Sequence, residues 1–137
     1  QYGENIRTMC EDESNILLLD YVSEVEKAWL FLNAYAFVSP SCVEGFGIPV
    51  LDAACLGLRV LASNIPSHKE IASLVHSDDN LRLIDLSNFD NWINELNLLN
   101  SIDLPMEDEV QNRLSIYNSN LKVLKEKFEK SIIDLVI

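Results

Sequence analysis

The chain has 137 residues, 48% of them hydrophobic, and a mean hydropathy of +0.08, which is enough for one buried core of ordinary domain size. Twenty-two acidic against ten basic side chains give a formal charge of −12. This argues against nucleic acid, whose phosphates need a basic surface, and against association with an anionic membrane.

The elements follow in chain order. Residues 1–14 are polar, and Arg7 is the only basic residue before Lys27. Asn15–Leu19 is an apolar run that predicts a first strand. Ser23-x-x-Glu26 is a capping box that opens an amphipathic helix reaching about Asn33. Ala36–Ser39 reads as a second strand, followed by a glycine-flanked loop and a short helix, Val50–Leu56, closed by Gly57. Pro49 suits the first helical position, where its missing N–H costs nothing. Arg59–Ala62 is a third strand, Ser67-x-x-Glu70 caps a further short helix, and Leu81–Ile84 is a fourth strand. Asp90 to about Leu99 predicts a helix with Trp92, Ile93 and Leu96 on one side. After a linker at 100–109, Leu121, Leu124, Phe128, Ile132 and Leu135 recur at three or four residues and predict one or two amphipathic helices. That stripe serves core packing or, alternatively, an interdomain or self-association face.

Residues 1–104 thus alternate strand and helix, and 105–137 are helical. The expected fold is α/β: a Rossmann-like parallel sheet with flanking helices and a helical C-terminus. Ligands of such sheets bind beyond the carboxyl ends of the strands, where the Ser39–Gly47 loop lies.

That loop carries the chemistry. Glycines allow backbone amides to approach a ligand closely, and the helix start beside them attracts anions. Glu44 and Asp52 bracket the turn with seven residues between them, adding acceptors for hydroxyl groups. Donors for a phosphate or sugar oxygen beside acceptors for sugar hydroxyls suit a nucleotide sugar. On local chemistry alone, a tight strand-to-helix turn whose acids serve as caps fits as well.

The run Ser39-Pro40-Ser41 through Glu44-Gly45-Phe46-Gly47-Ile48-Pro49, with Asp52-Ala53-Ala54 after it, resembles the donor-site signature of retaining glycosyltransferases of the GT-B fold, the group 1 or family four enzymes. Leu56–Pro66 and Glu70-Ile71 extend the resemblance, and Asn15–Ser23 resembles the strand before the family's "GYVS" turn, with Asp20 where glycine is common. The resemblance implies that Glu44 is the catalytic residue, accepting hydrogen bonds from the donor sugar, and that the residue at position 52 accepts from the ribose. It implies also that amides around Gly45, Phe46 and Gly47 approach the sugar or diphosphate. Aspartate at position 52 replaces the family's second glutamate and is one methylene shorter.

By the same resemblance the donor is a nucleotide-diphosphate sugar, transfer proceeds with retention and without a metal or other cofactor, and the acceptor is a saccharide or lipid-linked saccharide. The acceptor would bind through an N-terminal domain that this sequence lacks. The domain's first strands and the arginine and lysine that neutralise the diphosphate also fall outside the recognisable segment. The chain is therefore expected to be a fragment of a donor-binding domain, inactive alone. A non-catalytic α/β binding module that keeps the loop, and a nucleotide-sugar epimerase of similar architecture, are the alternatives.

Other chemistry has weaker support. Cys10, Cys42 and Cys55 cannot all pair, and with no leader-like or long apolar segment a reducing cytoplasm is the default expectation. Cys42 lies in the loop with neither His68 nor His76 near it in sequence, so its expected role is that of a small hydrophobe. No C-x-x-C or H-x-x-x-H spacing occurs, and the acidic clusters at 11–13, 78–79 and 107–109 read as solvated loops or helix starts, so no metal is expected.

Overall fold

The structure, a computed structural model, describes residues 2–11, 13–75, 80–101 and 107–136. In chain order its elements are α1 (Tyr2–Glu11), α2 (Glu24–Asn33), β1 (Ala36–Ser39), α3 (Ile48–Cys55), β2 (Arg59–Ser63), α4 (Pro66–Leu74), β3 (Leu81–Ile84), α5 (Phe89–Asn100) and α6 (Glu107–Val136). The three strands form a parallel sheet in the order β1-β2-β3, with Ser39 opposite Ala62 and Ser63 opposite Ile84. Parallel neighbours need a crossover, which α3 and α4 supply. All three strands therefore end on one edge of the sheet, and the loops that follow them gather there. The expected α/β class, a Rossmann-like parallel sheet with flanking helices, is what the structure shows.

Side chains of β2 alternate between two cores, as the period of a strand requires. Val60 and Ala62 join Val50, Ala53, Ala54, Leu58, Ile71 and Leu124 under the helices of one face. Leu61 points the other way, packing with Ile84 and Trp92 beneath α5. The indole Nε1 of Trp92 donates to the Asp85 carbonyl at 3.1 Å, so its one polar group is satisfied.

Helix ends are fixed by identifiable groups. The Ser23–Glu26 capping box forms as predicted: the Glu26 amide donates to Ser23 Oγ at 3.3 Å and Glu26 Oε2 accepts from the Ser23 amide at 2.8 Å. At the end of α3, the Leu58 amide donates to the Ala53 carbonyl and the Gly57 amide to the Ala54 carbonyl, a Schellman motif with Gly57 at φ +72°. The long helix α6 caps three others. Arg113 donates to the carbonyls of Leu32 and Ala34 at 2.5 and 2.8 Å, Asn120 Nδ2 to Cys55 O at 2.9 Å, and Lys127 Nζ to Leu74 O at 2.7 Å. These residues recur every seven positions, so they share one face of α6 and meet the carboxyl ends of α2, α3 and α4 in turn.

Four expectations change. Asn15–Leu19 forms no strand: an isolated apolar run has no ladder partner for its backbone, and Leu17 is 80% exposed. Residues 2–11, read only as polar, are helical, and Arg7 of α1 pairs with Asp20. Ser67 does not cap α4, because Pro66 occupies the helix's first position and places the N-cap at Ile65, leaving Ser67 inside the first turn. Of the proposed α5 stripe only Trp92 is buried; Ile93 and Leu96 are exposed, and Leu99, two turns after Trp92, completes the packing face. The tail is a single helix, within the one or two expected, and of its apolar stripe Leu124 is buried and Leu121 exposed. The side chains of Phe128, Ile132 and Leu135, residues 102–106 of the linker, Asp12, and the Asp78-Asp79 pair with His76 lie outside the described residues.

Candidate functional site

The site begins where β1 ends. From Ser39 the chain runs through Pro40 to Gly47, whose φ of +85° and ψ of 43° put it in the left-handed region as the N-cap of α3. No side chain caps this helix start, and Pro49 stands in its first turn. Within that turn the Val50 and Leu51 amides donate to the Gly47 carbonyl at 2.9 and 3.1 Å and Pro49 has no N–H, which leaves anion recognition here to the Ile48 amide and those of the loop before it.

Two carboxylates flank the helix start in separate cavities. Glu44 lines a cavity of about 240 Å³ with Gly45, Ile65, Pro66, Ser67 and Glu70. Its Oε1 accepts from Ser41 Oγ at 2.7 Å, which fixes the carboxylate in one orientation. A Cβ at Gly45 would meet nothing within 4 Å, so the protein itself leaves that side of the loop open. Asp52, one turn into α3, lines a second cavity of about 240 Å³ with Glu24, Lys27, Leu114 and Tyr117. Burial raises the Asp52 carboxyl above the ordinary carboxylate value, against the opposing pull of Lys27. Lys27 is itself held by Glu24 at 2.6 Å, and that hydrogen bond raises its ammonium above the usual lysine value.

Beneath the loop lies His68, the second residue after Pro66 in α4 and 0% exposed. Its Nδ1 is 2.8 Å from the Ser63 carbonyl and 3.3 Å from Ser63 Oγ. A carbonyl only accepts, so Nδ1 carries the proton. Ser63 Oγ in turn donates to the Ser41 carbonyl at 2.5 Å, and Ser41 donates to Glu44. Carbonyl and carboxylate acceptors thus set the direction of every bond from His68 to Glu44. The His68 ring also fills the space under Gly47, where a Cβ would stand 3.1 Å from Cδ2.

The loop residues Glu44, Gly45, Phe46 and Gly47 fall together at the carboxyl end of the sheet, whereas Asp52 faces a different cavity, on the α2 and α6 side. Sequence reasoning assigned no role to Ser41, Ser63, His68 or Lys27. The available signal was polar: Ser39 and Ser63 end strands whose other residues are mostly apolar, and both are buried. Cys42 is exposed instead of packed, and the buried thiol is Cys55. Among the described residues no group of three or more His, Cys, Asp or Glu side chains is placed to hold a metal ion, and no helix is long and apolar enough to cross a membrane.

Comparison with known proteins places the chain in a family. Over 59 residues, 43% of this chain and 16% of the relative, the sequence is 41% identical to O-antigen chain mannosyltransferase B of Escherichia coli. It is 35% identical to O-antigen chain mannosyltransferase RfbU of Salmonella typhimurium over 85 residues, 57% of this chain and 24% of that protein. A serotype-specific mannosyltransferase, WbdA of Escherichia coli, is 32% identical over 77 residues, 51% of this chain and 9% of the relative. The matched segments thus span a quarter or less of these relatives. No solved structure gives a significant match. The family described as glycosyl transferases group 1 matches residues 4–118, most of the chain, and the chain belongs to that family.

Proposed function

We propose that this chain is part of the donor-binding domain of a retaining glycosyltransferase that moves a hexose from a nucleotide-diphosphate sugar to a saccharide or lipid-linked acceptor. The observation that carries the reading is the uncapped start of α3 standing between two carboxylates in separate cavities. An extended donor fits that arrangement: sugar at Glu44, diphosphate across the Gly45–Gly47 amides, ribose at Asp52. Glu44 accepts from the sugar hydroxyls through the oxygen that Ser41 does not occupy, and Asp52 accepts from the ribose hydroxyls. The names of the relatives make mannose the first sugar to test. No metal is required for this scheme, because the amides and the helix start stabilise the leaving diphosphate.

The test is binding of UDP-, GDP- and ADP-linked mannose by calorimetry, with Glu44→Gln and Asp52→Asn as controls, followed by transfer assays in the full-length protein. Selective binding weakened about tenfold or more by each substitution is expected, since each removes a charged acceptor. Unchanged affinity in both variants would remove the two acids from the site. A second reading, a non-catalytic α/β module that retains the loop, is favoured by one observation: Lys27, the cation facing Asp52, is already engaged by Glu24. Binding without any transfer product in the full-length protein would select it.

A further inference from the structure

We propose that His68 is a positioning residue for Glu44, acting through Ser63 and Ser41, an inference that rests on the donor-site reading above. Core packing alone is a poor account of this ring. His68 is wholly buried, its Nε2 has no hydrogen-bond partner, and an aliphatic side chain would fill the space without stranding a polar nitrogen. What only the histidine supplies is Nδ1–H. That donor binds the Ser63 carbonyl at 2.8 Å, where the Ile65 amide also donates at 2.9 Å, so the turn from β2 into α4 is held twice.

The clamp reaches the site by one short path. Ser63 Oγ, 3.3 Å from Nδ1, is left free to donate only away from the ring, to the Ser41 carbonyl at 2.5 Å. Ser41 is thereby fixed at both its backbone and its hydroxyl, and the hydroxyl orients Glu44 at 2.7 Å. The ring also forms the floor under Gly47, within 3.4 Å of where a Cβ would lie. A single side chain therefore sets the height of the loop at its glycine end and the direction of the carboxylate at its other end.

The experiment compares His68→Asn, His68→Leu, Glu44→Gln and the Leu/Gln double variant. Asparagine can place an N–H where Nδ1 stands, and leucine cannot. On the free chain at pH 8, a long-range proton–nitrogen spectrum should show the Nδ1–H tautomer. The amide signals of residues 41–47 should move in His68→Leu and hold in His68→Asn. For the mannose nucleotide that binds most tightly, His68→Leu should weaken binding about tenfold and His68→Asn about twofold or less, and the double variant should bind no more weakly than Glu44→Gln. An Nε2–H tautomer, unmoved loop signals in His68→Leu, or additive losses in the double variant would each overturn the proposal. Should His68→Leu fail to fold, the tautomer and the affinity of His68→Asn decide it. If Glu44→Gln itself leaves binding unchanged, the donor-site reading fails, while the spectra still judge the link from His68 to the loop.

Discussion

Gly47 and Gly57 provide a matched pair for testing how the loop is built. Both have positive φ, +85° and +72°, so replacing either by alanine places an L side chain in the left-handed region. That conformation costs about 1–2 kcal/mol, partly offset by about 0.5–1 kcal/mol from the stiffer unfolded chain. The surroundings then separate the two. At Gly57 a Cβ would be 3.4 Å from Ile116 Cγ2, an ordinary contact, so Gly57→Ala should cost about 1 kcal/mol. At Gly47 it would lie 3.1 Å from His68 Cδ2 and 3.2 Å from Ile71 Cδ1, both on residues with no exposed surface. Neither can yield without displacing the core, which adds about 1–3 kcal/mol and brings Gly47→Ala to about 3 kcal/mol. For a chain of this size that corresponds to falls in Tm of about 3 °C at Gly57 and about 10 °C at Gly47. Urea unfolding at pH 7, with both variants at unchanged m-value, measures the difference directly. Equal midpoints for the two variants would refute the claim that His68 and Ile71 form a rigid floor under the loop.

Arg113→Met keeps the aliphatic stem but removes the donors that hold the Leu32 and Ala34 carbonyls, and should destabilise the chain by about 3 kcal/mol in the same urea assay. A change below about 0.5 kcal/mol would mean that the Arg113 hydrogen bonds contribute little to holding α6 against the end of α2. Burial pushes the Cys55 thiol up to about 11, so at pH 8 a maleimide should label the exposed Cys42 quickly and Cys55 only on unfolding, as peptide mass spectra would show. Labelling of Cys55 at the rate of Cys42 would contradict its burial. Asp52, whose folded carboxyl is raised above its ordinary 3.8 by burial, binds its proton more tightly folded than unfolded. Its favourable contribution is therefore present below that value and is lost as pH rises through the raised one. Asp52→Asn should accordingly raise Tm at pH 7, with the gain shrinking towards pH 4. A Tm at pH 7 below that of the unsubstituted chain would show that the Lys27 attraction outweighs burial.

Local signals in the sequence determined the elements that carry their own chemistry. The Ser23–Glu26 box, Gly57 after α3 and the apolar runs of β1, β2 and β3 were legible because a cap, a left-handed glycine and a buried strand each depend on residues close in sequence. The same holds for the glycine-flanked loop after β1: Glu44, Gly45, Phe46, Gly47 and Asp52 are separated by fixed spacings that strand, turn and helix translate into positions. Tertiary structure alone decided the rest. Asn15–Leu19 has the composition of a strand, yet a strand exists only with a partner for its backbone groups, and sequence does not say whether one is present. Spacing could not reveal that Glu44 and Asp52 face different cavities, because Asp52 is aimed by the packing of α2 and α6 against α3. Nor could it reveal that Arg113, Asn120 and Lys127 cap three separate helices, or that His68 lies under Gly47. Those contacts join residues 21 to 81 positions apart, and only the chain's return upon itself brings such groups within hydrogen-bond reach.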